Sequence, residues 1–296
     1  MRQAGWKDWL VYSDLHVLLV SAGWMLGGSA LMGYGLPWTF VLLGACGAFL
    51  VYRLDHWFIH SPEDHLNAPQ RLAHAKGWQY PLIVFAALLA FLALLSLAEE
   101  IRQDAWPWTI ALLIGTLGLI YPLRVLPGGR RPKDFPALKT LLIVSCWVGG
   151  GILLPAVLFS QGEAMQPFGG DELAAVVSYR VLYVLPNLIA VDWLDREGDR
   201  VERAGNLVSK WTRRGAKSSI FILWAMATML LALLFVSGSN PVLLSIEWVG
   251  VTGLFLMAVS TISIREFKPD GMIGRAVLLD LWVAFPMITW LWWFFG

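Results

Sequence analysis

The chain has 296 residues, of which 57% are hydrophobic and 15% charged, with 17 tryptophans and a formal net charge of +1. A soluble domain carries roughly 25% charged residues, so the composition excludes one and indicates an integral membrane protein. The apolar stretches lack period-2 alternation, which excludes a membrane β-barrel, and no nucleic-acid partner is expected.

In chain order, residues 1–14 form an amphipathic, tryptophan-bearing segment expected to lie on the membrane surface, with no cleavable signal peptide. Nine stretches of about 20 apolar residues, enough to cross a bilayer as helix, follow. They cover 15–34, 38–59, 78–97, 106–124, 138–160, 174–195, 218–237, 242–262 and 275–294. The predicted fold is therefore all-α: a polytopic bundle of nine transmembrane helices around a central cavity, forming a single domain over 1–296. Small residues such as Gly23, Gly27, Gly28 and Gly149 to Gly151 read as packing points where helices approach closely. Pro155, Pro186 and Pro286 are expected to kink their helices. Cys46 and Cys146 lie inside apolar helices, which argues against a disulfide framework.

Nine spans place the N-terminus and the loops after predicted helices 2, 4, 6 and 8 on one side. That side carries 20 of the 22 basic residues, and by the positive-inside rule it is cytoplasmic. Shifting the helix count by one would scramble the asymmetry. The chain is read as a multi-pass protein of a bacterial inner membrane with its polar loops in the cytoplasm. The aromatic run from Trp290 to Phe295 resembles an interfacial belt on the opposite face.

Chemistry concentrates at three helix mouths. Asp192, Asp195 and Asp199 close predicted helix 6, and spacings of three and four stack their carboxylates on one face. Such a stack is expensive beside hydrocarbon unless a cation neutralises it. Hard divalent ions such as Mg²⁺ prefer carboxylate oxygens and commonly carry a phosphate or diphosphate ligand. After predicted helix 2, His56, His60 and Asp64 recur every four residues, giving a second polar cluster if the helix continues. After predicted helix 4 come Tyr121, Arg124, Arg130, Arg131 and Lys133, followed by Lys139. Arg124 and Lys139 lie nearest the helix ends and suit the stabilisation of a departing diphosphate. Arg130, Arg131 and Lys133 read as topology-setting charges near anionic lipid.

With these motifs in view, the chain resembles the UbiA-type intramembrane prenyltransferases. Asp192, Asp195, Glu197, Gly198 and Asp199 match that family's second aspartate-rich motif, and Tyr121 to Arg124 is similar to its helix-4 signature. Asn67, Pro69 and Arg71 match the segment following the first motif, and Asp64 falls on that motif's last aspartate. The resemblance implies an Mg²⁺-dependent transferase that moves a polyprenyl group from its diphosphate to a hydrophobic acceptor, aromatic or otherwise, within membrane lipid. It implies metal binding by Asp64, Asp192, Asp195 and Asp199. Substrate contacts are implied for Arg71, Tyr121, Arg124, Lys139, Asn67, His60 and His56. The first motif departs from the family pattern: His56 stands where an asparagine is usual and His60 where the central aspartate is, with Asp55 one position earlier.

Two other readings stay open on the sequence. One is a non-catalytic or repurposed relative that binds an isoprenoid lipid, motivated by the histidines of the first motif. The other is a membrane di-iron oxidase, suggested by His56, His60, His65 and His74, although such sites need histidines spread over several segments. Arg180, Glu247 and Asp280 are the clearly intramembrane charges outside the motif ends; they either pair with one another or face the cavity.

Overall fold

In hydrocarbon every backbone N–H and C=O has to be bonded within the protein, so apolar stretches of this length fold as helices. A computed structural model describes residues 13–58, 79–100, 105–159, 170–202, 206–237, 239–264 and 269–295. Its helices are α1 (His16–Leu31), α2 (Trp38–Phe58), α3 (Gln79–Glu100), α4 (Ala105–Ile120) and α5 (Pro136–Phe159). They continue as α6 (Gly170–Glu202), α7 (Arg213–Val236), α8 (Pro241–Ser263), α9 (Pro269–Val283) and α10 (Pro286–Phe295). Seven spans among the described residues are long and apolar enough to cross a membrane, the last running through α9 and α10 as Gly274–Phe295. The shorter apolar helices α1 and α4 supply the remaining two of the nine predicted stretches. The chain is a multi-pass membrane protein built of helices. Of the predicted surface segment 1–14, residues 1–12 lie outside the described residues.

Most neighbours in sequence pack as neighbours in space, and the end of the chain returns to its beginning. α1 packs on α2, α5, α9 and α10, while α6 packs on α5, α7, α8 and α9. The core between them is aromatic: Trp24, Tyr179 and Tyr183 meet edge to face among Ile152, Leu254 and Leu279.

Two of the three predicted kinks are breaks in α-helical geometry. In α5 the backbone widens to π-helix over Ser145–Leu153, immediately before Pro155. The proline ring has no N–H and crowds the carbonyl one turn earlier, so a wider turn relieves it. Gly151 lies in that stretch, and a Cβ there would stand 2.5 Å from the Trp24 ring. The Trp24 indole N–H donates to the Trp147 carbonyl at 2.9 Å, locking α1 to the widened turn. Pro286 begins α10 after a turn that ends α9. Pro186 sits inside α6, which continues as one helix of 33 residues through it.

Gly27 on α1 carries the closest approach between the first and last helices. A Cβ there would lie 2.3 Å from both Cβ and the carbonyl oxygen of Pro286. Backbone cannot swing aside as a flexible side chain can. Gly27→Ala is therefore expected to lower stability by about 1–3 kcal/mol, read as a lower unfolding midpoint in detergent; an unchanged midpoint would contradict this packing.

Candidate active site

The last turns of α6 carry Asp192, Asp195 and Asp199. Asp192 is 5% exposed and Asp199 3%, while Asp195 is half-buried. Asp192 Oδ1 receives a hydrogen bond from Lys139 Nζ at 2.6 Å, and its Oδ2 accepts the Leu207 backbone N–H at 3.0 Å. Asn206 bridges the motif: its amide donates to the Asp192 carbonyl at 2.6 Å and also to Asp199 Oδ2. Its own Oδ1 accepts the Val208 N–H at 2.9 Å. The chain leaving α6 thus folds back over the acids and fixes their rotamers.

A lysine in the first turn of α5 is unfavourable to its own helix dipole. The Asp192 carboxylate offsets that cost across the α5–α6 contact. Tyr121, at the end of α4, lies within electrostatic reach of Lys139 together with Asp192 and Asp199. Arg196 stacks over the Trp193 ring, 4.2 Å from its centroid.

The structure therefore brings Asp192, Asp199, Lys139 and Tyr121 together, with Asp195 on the same helix end. Arg124 is exposed on the loop beyond α4. His60, Asp64, Asn67 and Arg71 lie outside the described residues, as do His65 and His74; His56 falls in the last turns of α2, with its side chain outside the description. Among the described residues, no three of His, Cys, Asp and Glu stand close enough to hold a metal ion by themselves.

The loop joining α4 to α5 is more structured than a run of lipid-facing charges. A tight turn with positive φ at Gly128 and Gly129 closes a bridge between Leu126 and Arg130. Arg131 is 6% exposed and forms a capping box with Asp134, both contacts at 2.8 Å. Lys133 reaches α2 and pairs with Asp55 at 2.5 Å. Arg131 and Lys133, read from the sequence as topology-setting charges, thus also have intramolecular partners. A loop sequence does not reveal which acid folding delivers to it.

Two features escaped sequence reasoning, and a third was one of two readings left open. Asn206 looks like an ordinary loop residue until it is seen across the motif. Asp280 does not join the other intramembrane charges: it meets Asn187 at 3.0 Å and His16 at 3.4 Å. Arg180 and Glu247 pair with each other at 2.8 Å, both fully buried. The available signal was polarity itself, because a polar side chain inside an apolar helix needs a partner.

The fold is that of a known class of membrane protein. No family model matches the sequence, and no curated protein does. Solved structures do match along nearly the whole chain. A UbiA homolog from Archaeoglobus fulgidus bound to GPP and Mg²⁺ is similar at TM-score 0.58 and 12% identity, over 95% of this chain and 98% of that one. An apo UbiA homolog from Aeropyrum pernix K1 is similar at TM-score 0.53 and 12% identity, over 92% and 96%. A structure concerning digeranylgeranylglyceryl phosphate synthase in membranes is similar at TM-score 0.52 and 17% identity, over 96% of each chain. The chain shares the fold of the UbiA homologs, as its two-motif sequence resemblance implies.

Proposed function

We propose that the chain is an intramembrane prenyltransferase, transferring a prenyl group from its diphosphate to a hydrophobic acceptor. The observation that carries this reading is the partly buried Lys139–Asp192 contact, tied through Asn206 to Asp199, at the mouth of a membrane helix in a UbiA-like fold.

The donor chemistry fits Mg²⁺. That ion typically takes one or two carboxylates, several waters and substrate phosphate oxygens rather than an all-protein cage. Asp192, Asp195 and Asp199 supply carboxylate oxygens, and Asp64 is the proposed ligand from the other motif. When bound, Mg²⁺ would neutralise charge on the diphosphate.

The protein's own groups do the rest. Lys139 is positioned to exchange part of its contact with Asp192 for a diphosphate oxygen, with Arg71 and Arg124 as further cationic partners. Lys139 would stabilise negative charge as the C–O bond lengthens and diphosphate leaves with the bonding electrons. Tyr121 and Trp193 offer ring faces to the allylic cation, and the apolar bundle keeps water from it. Asn67, His56 and His60 are proposed to line the donor site from the first motif. By charge asymmetry the Asp192 end faces the cytoplasm.

The test is Mg²⁺-dependent diphosphate release and prenyl transfer by the purified chain with Asp192→Ala and Asp195→Ala combined. Loss of both activities is expected, by about 10³-fold or more. Undiminished transfer by the double variant would end the proposal.

A further inference from the structure

Beneath the acidic motif lies a second polar cluster with unusual bonding. Asp280 on α9 uses both carboxylate oxygens for orientation: Oδ1 accepts the Asn187 amide at 3.0 Å, and Oδ2 faces His16 Nε2 at 3.4 Å. His16 is 3% exposed and Asn187 6%. The remaining polar atoms of both, His16 Nδ1 and Asn187 Oδ1, are buried without a hydrogen-bond partner. Two orphaned polar atoms in a membrane bundle are costly, and here each belongs to a side chain that contacts the same Asp280 carboxylate.

Their chemistry specifies the ligand. With Nε2 facing Asp280 at 3.4 Å, a neutral imidazole that carries its proton on Nε2 leaves Nδ1 as an acceptor lone pair. Asn187 donates its amide to Asp280 and so presents its oxygen. Both orphans are acceptors, and a group that satisfies either has to be a donor. A hydroxyl fits, with its single proton directed to His16 Nδ1; an ether lacks the proton, and a carboxylate would meet two lone pairs and the Asp280 charge.

The position matters as much. Asn187 precedes Asp192 on α6 by five residues, roughly 7.5 Å of helix rise, on the interior side of the motif. Asp280 also lies within electrostatic reach of Tyr52, as do Tyr121, Asp14 and Asp55. Asp14 in turn pairs with Arg53 at 3.3 Å. The cluster therefore occupies the same end of the bundle as the acids.

We infer that His16, Asn187 and Asp280 form the subsite for a hydroxyl-bearing acceptor head, with His16 taking its proton. The inference rests on the prenyl-transfer reading. The donor's C–O bond breaks with its electron pair going to the diphosphate. The acceptor oxygen forms the new C–O bond, and its proton passes to Nδ1 of His16. Asp280 stabilises the resulting imidazolium through Nε2–H, as a carboxylate behind a histidine does in hydrolases.

The test uses the full chain in lipid nanodiscs, with 1-naphthol and its methyl ether as probes in equilibrium dialysis. Geranyl transfer from geranyl diphosphate to 1-naphthol is followed in parallel. The intact protein is expected to prefer the naphthol by roughly tenfold, the worth of one or two buried hydrogen bonds. His16→Ala and the volume-conserving Asn187→Leu should each remove that preference, and His16→Ala should lower transfer by about 10²-fold. Equal affinity for naphthol and ether, or a preference that survives both variants, overturns the subsite. Selective naphthol binding through His16 without any geranyl transfer would support the subsite and sink the enzymatic reading instead.

Discussion

Replacing Glu247 with leucine is expected to lower stability by about 3–5 kcal/mol, the cost of leaving a buried charge without its partner. Glu247 joins three helices. Its Oε1 accepts from Arg180 Nη2 at 2.8 Å and from the Thr289 hydroxyl at 2.9 Å, and its Oε2 accepts from the Tyr179 hydroxyl at 2.9 Å. Arg180 is clasped by ring faces, with centroids of Trp24, Tyr179 and Tyr183 at 5.0, 5.3 and 5.8 Å. Those faces temper the charge but do not neutralise it. The double replacement Arg180→Met with Glu247→Leu should recover most of the loss, because removing both charges also removes their desolvation cost. Unfolding midpoints of the four proteins in one detergent measure the coupling. Additive single effects would show that the pair does not act as a unit.

Lys139→Met is expected to reduce diphosphate release by about 10²-fold or more, on the scale of losing one preorganised donor at a developing charge. The lysine sits in the first turn of α5, against that helix's dipole, and is held there by Asp192. A residue kept at an unfavourable helix position by a single carboxylate is poised to trade that contact for a diphosphate. Inorganic pyrophosphate binding separates this from a structural role. A binding loss parallel to the activity loss supports direct contact, whereas wild-type pyrophosphate affinity in Lys139→Met would assign Lys139 to holding Asp192 alone.

Particular residues show how far reading from sequence reaches. The spans were legible because hydrocarbon enforces length and apolarity on each segment independently of its neighbours. Asp192, Asp195 and Asp199 were legible because their spacing alone places them on one face. Lys139 was legible by its nearness to a helix end, although its direct hold on Asp192 was not. Asn206 was illegible: its role depends on the chain folding back over α6. The role of His16 was illegible because its partner, Asp280, lies at the far end of the sequence. The pairing of Arg180 with Glu247 was one of two readings left open until α6 and α8 were seen to pack together.

The sequence by itself determined that this is a helical membrane protein with an acidic helix mouth and a marked asymmetry of basic loops. These properties are local, set by residue type, spacing and hydrophobic length. Only the tertiary structure decided which charges neutralise which. It joined Lys139 to Asp192, Lys133 to Asp55, Arg180 to Glu247, and Asp280 to Asn187 and His16. In a low-dielectric bundle each such group requires a partner, yet many partners satisfy the same rule. The choice among them is made by helix packing, which depends on close contacts such as Gly27 on Pro286 and Trp24 over Gly151.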